Sequence, residues 1–288
     1  MLRLTVLLLA GFLAGCATAP YEDRGYPPPR EAELAPVRAD RPVVGLVLGG
    51  GGARGFAHIG VIKALEAEGI RPDLIVGASS GALVAAFYAG GYGPRELEEA
   101  ALGIEDSDLI DFTFFGPARV EGARLQDYVN RGLDNRSIEA LPRPFAVVAT
   151  ERATSRMAVF TRGNTGIAVR ASTAVPTLFW PVVIGGVEYV DGGVASRVPA
   201  PVARRMGADV VIAVDVSWRG TADAEAADVV IRPQAPRTRL LEFGKKVENI
   251  AAGEAAAREA IPAIRESIAA AGERKRFAAQ PAVVFAAH

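Results

Sequence analysis

The sequence predicts an α/β fold built on a mainly parallel sheet, closed by a helical segment at the carboxyl end. Three observations predict it. Residues 43–48 and 74–76 are apolar runs that each break at a glycine-rich turn and resume as a helical stretch. That strand, loop, helix alternation is the mark of a parallel sheet. Half of the 288 residues are hydrophobic, enough for a sizeable core. Residues 240–271 are alanine-rich and helical in pattern, interrupted at Pro262. A net charge of −1 and a pI near 6.2 give no electrostatic footprint for nucleic acid. The single cysteine, Cys16, excludes an intrachain disulfide and a Cys-based metal site.

The amino terminus reads as an address. A short basic start precedes an apolar run over residues 4–15, of signal-peptide length and too short to span a bilayer. It ends Leu13-Ala-Gly-Cys16, which resembles a lipobox. The resemblance implies a signal peptide over residues 1–15, acylation of Cys16 and a membrane anchor. Ala17 after the cysteine implies, by resemblance to enteric bacteria, a protein on the outer membrane facing the periplasm. Residues 16–42 carry Pro20, Pro27-Pro-Pro29, Pro36 and Pro42 and few apolar side chains. They are expected as an extended tether.

The first strand leads into Gly49-Gly-Gly-Gly-Ala-Arg-Gly55, and residues 56–68 read as a helix. Gly50, Gly52 and Gly55 fit a dinucleotide loop, which needs an acidic residue at the end of the next strand. Here Asp73 begins that strand, and the strand ends in Gly77-Ala-Ser-Ser-Gly81. This is G-x-S-x-G between a strand and a buried helix, where a serine sits on a sharp elbow with its hydroxyl exposed. Ser79 alone has glycine two residues away on both sides. Consecutive glycines at a helix start present unpaired N–H groups. In a parallel sheet both loops lie at the carboxyl ends of their strands. A donor loop facing a serine is what acyl transfer requires, because charge develops on the carbonyl oxygen.

The serine needs a base. His58, early in the first helix, reads as a packing or surface residue, and His288 is the last residue of the chain. The order Ser79, Asp191, His288 mimics a hydrolase triad, although a terminal residue is poorly placed to be held rigid. Asp191 follows a short strand and breaks at Asp191-Gly-Gly193. Alone this is an ordinary turn. Beside the two loops it is the best base. Among the other elements, residues 94–102 and 121–133 read as helices and 145–150, 210–216 and 229–232 as strands. Phe112, Phe114 and Phe115 lie in a loop over residues 109–117, as part of an acyl-chain wall or simply as core.

With Gly50-Gly-Gly-Ala-Arg-Gly55, Gly77-Ala-Ser-Ser-Gly81 and Asp191-Gly-Gly193 in this order, the chain resembles the patatin-like phospholipase family. Ala57-His-Ile-Gly-Val-Ile-Lys-Ala-Leu65, Ala171-Ser-Thr-Ala-Val-Pro176 and Gly207-Ala-Asp-Val-Val-Ile-Ala-Val-Asp215 add to the resemblance, which covers about residues 43–216. It implies a three-layer α/β/α sandwich with Ser79 as nucleophile and Asp191 as proton acceptor. It also implies an oxyanion hole from Gly50, Gly51, Gly52, Arg54 and Gly55, with Gly77, Gly81, Gly192 and Gly193 shaping the turns. The catalytic domain is expected over residues 43–235 and a helical extension over 236–288. The implied reaction is acyl-ester hydrolysis on a lipid or other acyl-ester substrate, with no metal or cofactor. An acyltransferase or thioesterase on the same dyad, or a non-enzymatic lipid-binding lipoprotein, are the alternatives.

Overall fold

The computed structural model describes residues 25–113, 116–217 and 220–279. Cys16 with its apolar leader, Phe114, Phe115 and His288 lie outside these residues. Among the described residues nine strands form one sheet: β1 (Arg30–Glu31), β2 (Val44–Leu48), β3 (Leu74–Ala78), β4 (Phe145–Glu151), β5 (Met157–Arg162), β6 (Val182–Ile184), β7 (Val187–Val190), β8 (Val210–Val214) and β9 (Val229–Ile231). They lie in the order β1-β5-β4-β3-β2-β8-β9, with β7 pairing to β4 and β6 to β7. The run β4-β3-β2-β8-β9 is parallel. The remaining strands join antiparallel.

The helices are α1 (Ala57–Ala67), α2 (Ser80–Ala89), α3 (Pro94–Gly103), α4 (Asp106–Leu109), α5 (Ala123–Gly132), α6 (Thr165–Thr173), α7 (Ala200–Arg205) and α8 (Lys246–Ala279). The two-residue period of a strand divides them between two layers. Val44, Leu46 and Leu48 join a core with α1, α2, α6 and α8. Val43 and Val47 join a second core, on the other face, with Val202, Ala203 and Met206 around α7. The chain is therefore an α/β/α sandwich with one thick and one thin outer layer.

Four features depart from the sequence expectations. Residues 25–42 do not hang free. Glu31 takes two bonds from Arg156, the Val37 amide donates to the Met206 carbonyl, and Arg41 pairs with Asp73. The helical segment after residue 235 is part of the core rather than an appendage. Ile250, Ala257, Ile261 and Ile264 of α8 are buried. A Cβ on Gly60 would lie 1.9 Å from the Ile250 carbonyl oxygen, and one on Gly253 1.9 Å from that of Ala57. The two glycines let α1 and α8 touch backbone to backbone. Nor does Pro262 interrupt α8, which runs through it. An interior proline costs about 3 kcal/mol. Burying the flanking Ile261 and Ile264 returns roughly 1.5–3 kcal/mol each, and Arg258, whose carbonyl loses its partner, is on the exposed side. Finally, β5, β6 and α6 form in stretches to which the sequence reading assigned no element.

Candidate active site

The glycine loop follows β2 and the elbow follows β3. These strands are adjacent and parallel, with Leu48 opposite Gly77, so both turns open at one edge of the sheet. Ser79 sits between β3 and α2 at φ 52°, ψ −129°, a backbone conformation that costs a non-glycine residue about 1–3 kcal/mol. The surroundings hold it there. A Cβ on Gly77 would lie 2.5 Å from Ala82 Cα, and one on Gly81 2.0 Å from the Leu48 carbonyl oxygen. The Ser79 amide donates to Ser172 Oγ at 2.8 Å, and that hydroxyl donates to the Val148 carbonyl at 2.5 Å.

Asp191 reaches Ser79 from the turn after β7. Ser79 Oγ donates to Asp191 Oδ2 at 2.6 Å, and the Gly193 amide donates to Oδ1 at 2.7 Å. The aspartate backbone is tied at both ends: its amide donates to the Ala174 carbonyl, and its carbonyl accepts from Thr150 Oγ1 at 2.8 Å. Gly192 backs onto β4, where a Cβ would lie 2.1 Å from the Val148 carbonyl oxygen. Burial pushes the Asp191 carboxyl up to about 6, against the lowering effect of the Ser79 and Gly193 bonds and the Arg197 charge. The contact between hydroxyl and carboxylate is direct, with no space between them for an imidazole. His58 is fully buried under the glycine loop, with Nε2 2.7 Å from the Gly49 carbonyl oxygen. A carbonyl only accepts, so Nε2 carries the hydrogen. Burial holds the ring neutral, with its pKa lowered to about 4.

The loop amides have distinct occupations. Gly50 donates to the Arg197 carbonyl at 2.9 Å, Gly51 to Ser80 Oγ at 3.1 Å, Ala53 to the Leu240 carbonyl and Arg54 to the Gly51 carbonyl. The Gly52 amide has no acceptor among the described residues. Arg54 Nε turns back onto the Gly51 carbonyl, and Gly55 lies against Ser80. Gly50 packs on the nucleophile itself, 3.0 Å from its built Cβ to Ser79 Cβ.

Two cavities meet at Ser79. One is apolar and runs between α1, α2, α3 and α5, with Ile59, Leu83, Phe87, Leu97, Phe179 and Leu241 among its walls. The other is polar and holds the glycine loop, Arg54, Asp191, Arg197 and Ser217. Leu109 and Ile110 line the apolar cavity, whereas Phe112 is 70% exposed and does not. Among the described residues no cluster of three or more His, Cys, Asp or Glu side chains is placed to hold a metal. Sequence reasoning gave no role to Ser172, Thr150, Arg197 or Leu240. Ser172 lies inside a quoted motif; the other three carry no local signal, since they act on the site across long stretches of chain.

The patatin-like phospholipase family model matches residues 46–204. The chain is 35% identical over 188 residues to patatin-like phospholipase domain-containing protein 6 of Mus musculus, covering 62% of this chain and 14% of the relative. It thus spans about a seventh of that protein's length. An uncharacterized NTE family protein of Mycobacterium bovis is 34% identical over 207 residues, covering 69% of this chain and 56% of the relative. The crystal structure of VipD from Legionella pneumophila superposes with a TM-score of 0.57 at 13% identity, covering 84% of this chain and 70% of that one. That likeness concerns the fold.

Proposed function

Because the chain belongs to the patatin-like phospholipase family and is a lipid acyl hydrolase by that membership, we propose that it works through a Ser79–Asp191 dyad. The single observation that carries the proposal is the direct 2.6 Å bond from Ser79 Oγ to Asp191 Oδ2 at the junction of the two cavities. Ser79 Oγ attacks the ester carbonyl carbon while its proton passes to Asp191 Oδ2. The oxyanion is met by the open Gly52 amide, supported by the positive end of the helix that follows. Collapse breaks the ester bond, and Asp191 gives the proton to the departing alcohol oxygen. Water then attacks the acyl-serine, again losing a proton to Asp191, and the acid and free Ser79 are restored. The acyl chain lies in the apolar cavity. In this reading the favoured substrate is a phospholipid or lysophospholipid, and the enzyme is anchored through lipidated Cys16 at a bacterial envelope membrane, on the lipobox-like sequence.

The test is turnover of a long-chain acyl ester with the released acid quantified. Ser79→Ala and Asp191→Asn are each expected to lower kcat by roughly a thousandfold or more without loss of fold. Persistence of turnover in Asp191→Asn would remove the aspartate as base. An acyl group appearing on an added alcohol or thiol in preference to water would make the protein a transferase.

A further inference from the structure

The dyad chooses the bond that breaks; it does not choose the alcohol half that departs. The apolar cavity is suited to the acyl chain, which leaves the polar cavity for the other half of the ester. Resting on the dyad reading, we propose that Arg197 selects substrates whose leaving group carries an anionic phosphate ester.

Three charged side chains line the polar cavity: Arg54, Asp191 and Arg197. Asp191 has both oxygens engaged, one by Ser79 and one by Gly193. Arg54 is half-buried, bonded to the Gly51 carbonyl and within the field of the buried Asp215. Arg197 differs. The residue is exposed, and among the described residues it forms no ion pair, although its charge acts on the Asp191 carboxyl. Yet its backbone is fixed to the site. Its carbonyl takes the Gly50 amide at 2.9 Å, buried Ser196 and Val198 flank it, and its Cγ lies 3.6 Å from a Cβ built on Gly193. The stem is held beside the dyad, and the residue lines the cavity. Ser217 Oγ, on the same cavity, is shielded from solvent and has no partner among the described residues. A planar guanidinium and a hydroxyl donor on one cavity match the several acceptor oxygens of a phosphate.

The test compares two esters of one acyl chain in the same neutral detergent micelles: a 1-acylglycerol 3-phosphate and the uncharged monoacylglycerol. Their ratio of kcat/KM cancels any effect of Arg197 on Asp191 or on the loop. In Arg197→Gln the phosphate-to-neutral ratio should fall roughly tenfold or more, chiefly through KM, and Arg197→Lys should retain an intermediate ratio. Calorimetry with glycerol 3-phosphate gives a readout free of turnover: binding to the full protein, lost in Arg197→Gln. An unchanged ratio, equal losses on both esters, or no Arg197-dependent binding would overturn the proposal. Failure of both esters to turn over in the native protein, with glycerol 3-phosphate binding intact, would instead count against the dyad.

Discussion

At the scale of single residues, the site depends on one carboxyl that is buried yet must ionise. Asp191 titrates near 6 because burial outweighs its hydrogen bonds. As the proposed base it works only when deprotonated, so kcat/KM on an uncharged ester should rise from roughly pH 5 to pH 7 with an apparent pKa near 6, a value that reports the free enzyme. A flat profile across that range would assign the proton transfer to another group. The same shift has a stability sign. A raised carboxyl pKa stabilises the fold below the unfolded value of 3.8, and that contribution is lost as pH rises through about 6. Asp191→Asn should therefore gain stability relative to the native protein across that rise, read from paired thermal melts. His58 has a different part. Its N–H holds the Gly49 carbonyl while the Arg197 carbonyl holds the next amide, so one peptide of the donor loop is gripped from both sides. His58→Phe should lower kcat about tenfold with KM little changed. A loss of melting temperature with kcat intact would restrict His58 to packing.

At the scale of elements, the turns were more legible than the pieces that support them. The glycine loop, the elbow and the Asp-Gly-Gly turn announce themselves because each needs particular residues within a few positions. Strands β2, β3, β4, β8 and β9 were legible as apolar runs. Helix α6 was not, because all nine of its residues are buried and an all-round buried helix has no apolar stripe to read. Helix α8 was legible as a helix, with its bounds set outside the catalytic domain and its docking left open. What makes it core is the fit at Gly60 and Gly253, and nothing in either stretch alone shows that these two will meet. Gly253→Ala should destabilise the protein by about 1–3 kcal/mol through overpacking against Ala57. Gly244→Ala, where a Cβ meets nothing within 4 Å, should be near neutral. Equal melting curves for the two would deny the backbone contact.

At the scale of the whole molecule, the sheet order brings sequence-distant turns to one edge. Ser79 and Asp191 are 112 positions apart and joined by a hydrogen bond; Arg197 and Leu240 close over the loop from later still. That convergence could be inferred from the motifs only in outline, because a single sequence records turns and not the carbonyls that face them. The proposed membrane address at the amino terminus belongs to this scale too. Intact-mass analysis of the membrane fraction should show a chain beginning at Cys16 with added acyl groups, and an unmodified cysteine would remove the proposed anchor. The central claim, a serine activated by an aspartate without a histidine, is tested most directly by fluorophosphonate labelling of the domain. The probe should form an adduct on Ser79, absent in Ser79→Ala, strongly slowed in Asp191→Asn and retained when His288 is deleted. Loss of the adduct on deletion of His288 alone, or labelling at full rate in Asp191→Asn, would contradict it.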